Sequence, residues 1–173
     1  LDSDHLNADE KKTYLEISVD MENNLASDSL RSLSDYLTRF YGRKVIILLD
    51  EYDTPMQEAY INGYWEELSV FIRSLFNSTF KTNPYLERAL MTGITRVSKE
   101  SIFSDLNNLT IVTTTSDLYT ESFGFTQQEV WNALEEYGLS NKKKEVKDWY
   151  DGFTFGHTTG IYNPWSILNY LKF

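Results

Sequence analysis

The stretch that most constrains this chain is Val45-Ile46-Ile47-Leu48-Leu49, five consecutive aliphatic residues of which three are β-branched. A run this short is not a core helix, and its lack of alternation is the pattern of a strand buried on both faces inside a parallel sheet. After the Asp53-Thr54-Pro55 break, Leu68, Phe71, Ile72, Leu75, Phe76 and Phe80 fall at helical spacing, and Asn83-Pro84 ends that element. Ala89-Leu90-Met91-Thr92 then reads as a second strand before Gly93. Strand, crossover helix, strand is a βαβ unit, so the expected fold class is α/β with a parallel sheet and flanking helices.

The elements around this unit are less uniform. Leu15, Ile17, Val19 and Met21 alternate with polar residues like a strand, whereas Asn7 and Glu10 make a capping-box pattern, and the helix reading is favoured for the first 28 residues. From Ser29, Leu30, Leu33, Leu37 and Phe40 predict an amphipathic helix that stops at Gly42. A third strand is expected over Leu109 to Thr114, which is rich in β-branched residues. Beyond it the pattern turns helical: a capping box at Thr126 and Glu129, a short helix over about Lys142 to Tyr150, and a last helix capped by Asn163 with Pro164 first. The domain reading is therefore 1–120 for the sheet core and 121–173 for a helical lid.

Length and composition fit one core: 173 residues with 41% hydrophobic and 15% aromatic content supply enough apolar surface for it. A net charge of -10 argues against a chain that neutralises nucleic-acid phosphates over a broad surface. The absence of cysteine excludes disulfides, thiol catalysis and cysteine zinc sites, and two histidines make a histidine metal centre a poor expectation, so any metal would be held by oxygen. No run approaches the roughly 18 to 20 apolar residues of a membrane span, and the start is acidic, so the expectation is a cytoplasmic chain without a membrane partner. The first residue is not methionine, which leads us to expect a piece of a longer protein.

Chemistry concentrates where the first strand ends, in Asp50-Glu51-Tyr52-Asp53. The carboxyl ends of buried parallel strands are where open α/β sheets bind ligands, and carboxylates there need a compensating charge. No Lys or Arg occurs between Lys44 and Arg73, which makes a divalent cation such as Mg²⁺ a natural partner. The competing reading is a strand end whose carboxylates face water or cap the next helix. Aliphatics followed by Asp-Glu have the shape of a Walker B strand, in which the Asp holds Mg²⁺ and the Glu orients the water that attacks a γ-phosphate. Thr92-Gly93-Ile94-Thr95-Arg96-Val97-Ser98-Lys99 follows the neighbouring strand: Thr92 is placed to hydrogen-bond water or phosphate, and Arg96 and Lys99 can answer phosphate charge or simply be solvated. A nuclease metal site built from Asp50, Glu51 and Asp53 is weaker, because no lysine follows Glu51 in the required pattern. The aromatic run Trp149 to Phe155 reads as packing, Lys142-Lys143-Lys144 with Lys147 as a solvated face, and His157 has no partner visible in the sequence.

The stretches Val45 to Pro55, Thr92 to Ser104, Phe123 to Thr126, Trp149 to Gly156 and Tyr162 to Ser166 resemble the bacterial AAA-ATPase-like family, whose members often carry a PD-(D/E)XK nuclease-like domain. The resemblance implies a partial P-loop NTPase-like fold that binds ATP and Mg²⁺. On it, Asp50 and Glu51 match the Walker B positions, for metal and for catalysis, and Thr92 matches sensor 1. The family's phosphate-cradling loop G-x-x-x-x-G-K-[ST] occurs nowhere in the chain, so its phosphate-binding half is expected upstream of residue 1 and this piece alone should bind nucleotide poorly. The resemblance also implies nucleotide as partner, and leaves open a nuclease-like domain, nucleic acid and oligomerisation in the parent. Two readings stand beside each other: a Mg-dependent ATPase, and a non-catalytic interaction module that keeps the Walker B strand as scaffold.

Overall fold

The computed structural model describes residues 4–94, 103, 106 and 109–172. The chain divides into two compact units, 1–109 and 110–173, each with its own core.

The first unit is mixed α/β. Helix α1 (Ala8–Glu16) starts with the capping box that Asn7 and Glu10 announce, and α2 (Asn23–Tyr41) ends at Gly42. Arg39 ties the two helices, donating to Glu10 at 2.7 Å and lying 3.2 Å from Asp35. Strand β1 (Val45–Leu49) is followed by α3 (Thr54–Asn62) and α4 (Trp65–Phe76), a π-helical turn over Asn77–Lys81, and β2 (Leu86–Met91). Strands β1 and β2 pair in parallel, with Ile47 opposite Ala89 and Leu49 opposite Met91. The expected βαβ order is present, with two helices in the crossover. The sequence reading missed α3 because its apolar residues do not form a single stripe, although Pro55 stands in its first turn, where proline is preorganised for a helix.

Two expectations about burial are corrected. Strand β1 is not covered on both faces: Leu49 and Met91 pack with Met56, Ile72, Phe76 and Phe103, while Ile46 and Leu48 are 60% and 74% exposed and Leu90 is half exposed. A continuous aliphatic run matches a strand that could be covered twice, but here the first unit covers one face of a two-stranded sheet. Helix α2 is amphipathic as expected, yet its leucine stripe remains half exposed, whereas Ser27 and Ser34 are buried. Their hydroxyls donate to the carbonyls of Asn23 and Leu30, four residues back, which removes the penalty of burying them. Small side chains also allow close approach to α4 and the π turn.

Where the second unit begins, the segment Leu109 to Thr114 forms no strand. The Thr113 hydroxyl meets that of Thr115 at 2.9 Å, the Thr113 amide donates to Ser116 Oγ, and the Ser116 amide returns to the Thr113 carbonyl. Such local hydroxyl bonds compete with a sheet ladder and override β propensity. The rest of this unit is not purely helical. Alongside α5 (Gln127–Glu136), α6 (Lys143–Tyr150) and α7 (Pro164–Lys172) it holds an antiparallel sheet of β3 (Phe125–Thr126), β4 (Asp151–Phe155) and β5 (Thr158–Tyr162), in the order β3-β5-β4. The Asp151-Gly152 pair, read as a turn, begins a strand, and the reversal falls at Gly156-His157. Gly156 has φ +54°, and a Cβ there would collide with the Ser116 carbonyl oxygen at 2.7 Å and with Asp117, so glycine is required. Val130, Leu134, Val146, Tyr162 and Ile167 form the core of this unit, so residues on three helices and β5 close over one another.

Candidate functional site

The site is assembled at the carboxyl ends of the two parallel strands. The ladder continues past their last residues: the Thr92 amide donates to the Leu49 carbonyl at 2.9 Å, and the Tyr52 amide to the Thr92 carbonyl at 3.0 Å. These two bonds bring Asp50, which leaves β1, against Thr92, which leaves β2. The Thr92 hydroxyl donates to Asp50 Oδ1, and the Glu51 amide donates to the same oxygen at 3.0 Å. Both hydrogen bonds of Asp50 among the described residues thus fall on Oδ1, leaving Oδ2 open on an exposed residue.

Glu51 adopts φ +52°, the left-handed region that a non-glycine residue enters at a cost of about 1–2 kcal/mol. The turn is held by the Tyr52 bond to Thr92 and by the Thr54 amide on the Glu51 carbonyl at 3.1 Å. Its consequence is that Glu51 is exposed, and among the described residues its carboxylate makes no hydrogen bond or ion pair. Asp50 is therefore fixed and Glu51 is presented.

Asp53 behaves differently from its neighbours. It is 1% exposed, its Oδ2 accepts from Gln57 Nε2 at 3.0 Å, and its carbonyl accepts the amides of Met56 and Gln57 at the start of α3. The three carboxylates do not converge, and among the described residues no group of three or more His, Asp or Glu is arranged to hold a metal. That removes the support for a nuclease-type metal site. Of the three, Asp50 keeps an exposed carboxylate oxygen, the type of donor that a hard cation such as Mg²⁺ takes. Arg96 and Lys99 lie outside the described residues.

Sequence reading also missed a pairing in the second unit. His157 Nδ1 lies 2.7 Å from Asp117 Oδ1, which also accepts the His157 amide at 3.1 Å; the imidazole, before the other bonds, holds the Asp117 carboxyl below its ordinary range. The partners stand 40 residues apart, so no local pattern signals them. Both are strongly exposed, and no hydroxyl joins the ring among the described residues; there the pair fastens a hairpin tip. The aromatic run Trp149 to Phe155 supplies Tyr150 to the packing of the second core and leaves Trp149 exposed.

No helix among the described residues is long and apolar enough to cross a membrane. Known proteins place the chain in context. No solved structure matches it. An uncharacterized protein encoded in the vnfD 5′ region of Azotobacter chroococcum mcd 1 is 28% identical over 130 residues, covering 73% of this chain and 24% of that relative. The chain thus spans about a quarter of the relative's length. A family model described as "Predicted AAA-ATPase" matches residues 3–103, more than half of the chain, including both strands and the whole Asp50-to-Thr92 arrangement. The chain belongs to the AAA-ATPase-like family.

Proposed function

We propose that this chain is the Walker B and sensor portion of a P-loop-type ATPase, and that the whole protein binds and hydrolyses MgATP. The observation that carries the reading is the clasp of Asp50 Oδ1 by the Thr92 hydroxyl and the Glu51 amide at the ends of adjacent parallel strands, with Glu51 left exposed beside it. Asp50 is the residue that would hold Mg²⁺, through the oxygen that the protein leaves open. MgATP, when bound, supplies the scissile phosphate and the neutralisation of its charge. Glu51 orients the attacking water and draws on its proton, and Thr92 holds Asp50 and senses the phosphate through its hydroxyl. Arg96 and Lys99 are proposed to answer phosphate charge. The phosphate-binding loop is not in this sequence, so the proposal assigns weak or no nucleotide binding to this chain by itself.

The test is MgATP binding and turnover by the full-length parent. Glu51→Gln keeps the shape but cannot take a proton, and turnover should fall by about 10²- to 10⁴-fold while binding is kept. A parent that binds no nucleotide, or whose turnover is unchanged by Glu51→Gln, refutes the reading. The second reading, a non-catalytic interaction module, is favoured by the bare apolar face of Ile46, Leu48 and Leu90. It predicts that an Asp50→Asn, Glu51→Gln double variant retains whatever partner the parent binds.

A further inference from the structure

We infer that Asp53 is a positioning residue: seated against Gly93, it locks the turn that presents Glu51 to the strand end that carries Thr92. The inference rests on the reading of Asp50, Glu51 and Thr92 as the hydrolytic centre. Its basis is geometric. Asp53 is 1% exposed although a charged side chain gains most from water, so burial here costs stability unless the surroundings compensate it. Gln57 Nε2, one turn into α3, donates to Oδ2 at 3.0 Å. The other oxygen lies 2.5 Å from the point a Cβ on Gly93 would occupy, and two ring atoms of Tyr52 lie 2.8 and 2.9 Å from it. Only a residue without a Cβ lets the carboxylate and the ring close on the strand end at this distance. Tyr52 is backed in turn by Phe103, edge-on at 5.3 Å.

The side chains of residues 52 and 53 therefore close on position 93, while the Tyr52 amide holds the Thr92 carbonyl. Glu51 and Thr92 are each one bond removed from this grip. A left-handed Glu51 persists only where its surroundings over-determine it, and Asp53, bonded to Gln57 of α3, is the most buried of the groups that do so. Asp53 thereby sets where the Glu51 carboxylate stands relative to Asp50 and Thr92 without itself touching a substrate.

The test uses the full-length parent. Asp53→Ala should lower kcat by about tenfold to a hundredfold, the loss expected of a displacement near 1 Å, while the KM for ATP moves less than about threefold. In a Glu51→Gln background the same change should cost less than about twofold, because it acts through Glu51. Amide exchange followed by mass spectrometry over 45–57 and 86–94, without nucleotide, should quicken about tenfold at Tyr52 and Thr92. Asp53→Asn, which keeps the volume and an acceptor for Gln57, should stay within about threefold of wild type. Should Asp53→Ala not fold, Gly93→Ala carries the same expectations, since its methyl forces the two sides apart. Losses that add in the double variant, unchanged exchange, or an unaltered kcat alongside an effective Glu51→Gln overturn this inference alone. An ineffective Glu51→Gln overturns the catalytic reading and this inference with it.

Discussion

Thr79 lies inside the π-helical turn after α4, is 0% exposed, and its hydroxyl has no hydrogen-bond partner among the described residues. Threonine and valine have the same shape, so Thr79→Val exchanges a hydroxyl for a methyl without opening a cavity. Their helix propensities also nearly coincide, which leaves desolvation of the hydroxyl as the dominant difference. Burying such a group unpaired costs about 1–3 kcal/mol, so the valine variant should be more stable by roughly 1–2 kcal/mol once imperfect fit is allowed for. Thr79→Ala removes the same hydroxyl but also a buried methyl, and should be destabilising by about 1 kcal/mol or more. The opposite signs distinguish an unpaired hydroxyl from general sensitivity of the position. Native-state hydrogen exchange of the slowest amides over 65–82 reads the stability of this unit directly, and a gain of 1.4 kcal/mol would slow them about tenfold. A valine variant that loses more than about 0.5 kcal/mol would show that the hydroxyl is hydrogen-bonded in solution, and the reasoning would fail.

Two further perturbations address the second unit. Leu134 is 0% exposed at the centre of its core, so Leu134→Ala should cost about 2–5 kcal/mol in urea unfolding; a loss below about 1 kcal/mol would mean that this core is not closely packed. Thr126→Ala removes the N-cap of α5, where the Glu129 amide donates to Thr126 Oγ1 at 3.3 Å, and should cost about 1 kcal/mol by the same assay. The cap also carries a pH dependence of known sign. The Thr126 amide first, and then its hydroxyl, hold the Glu129 carboxyl below its ordinary range. A carboxyl whose folded value is depressed stabilises fully above the ordinary range and loses that contribution as pH falls through the folded value. Amide exchange at the start of α5 should therefore lose protection in acid, and Glu129→Gln should flatten that acid dependence; an unchanged acid response in the variant would exclude the cap as its source.

The features legible in the sequence are those set by neighbours along the chain. Capping boxes at Asn7 and Thr126 were readable because the cap and its reciprocal acid stand three residues apart, inside a single turn. The parallel pair followed from two apolar runs separated by a helical pattern, and the proximity of Asp50 to Thr92 follows from that pairing alone. What failed turned on side-chain hydrogen bonds to the backbone and to one another, which neither spacing nor propensity records. Hydrophobic periodicity can say that α2 has an apolar stripe, but not that Ser27 and Ser34 would be the residues buried, because their burial depends on hydroxyls returned to the helix backbone. The threonine-rich segment after Leu109 had strand propensity, and the local Thr113 and Ser116 bonds outweighed it.

The same distinction separates Asp50, Glu51 and Asp53, which look alike as letters. Their division of labour comes from one left-handed residue. Because Glu51 turns at φ +52°, the chain does not continue the strand's alternation, so Asp50 stays at the strand end, Glu51 faces solvent and Asp53 enters the interior over α3. In a regular strand Asp50 and Tyr52 would share one face while Glu51 and Asp53 shared the other, placing two carboxylates side by side on one surface. The turn separates them instead, giving one carboxylate held by donors, one exposed to water, and one buried against Gly93. Only the position of Gly93, forty residues beyond Asp53 in sequence and opposite it in space, hints at that outcome. A glycine following a strand and facing an acidic turn is thus evidence of close approach as much as of flexibility. In this chain it ties the architecture of the parallel pair to the placement of the residues proposed to act.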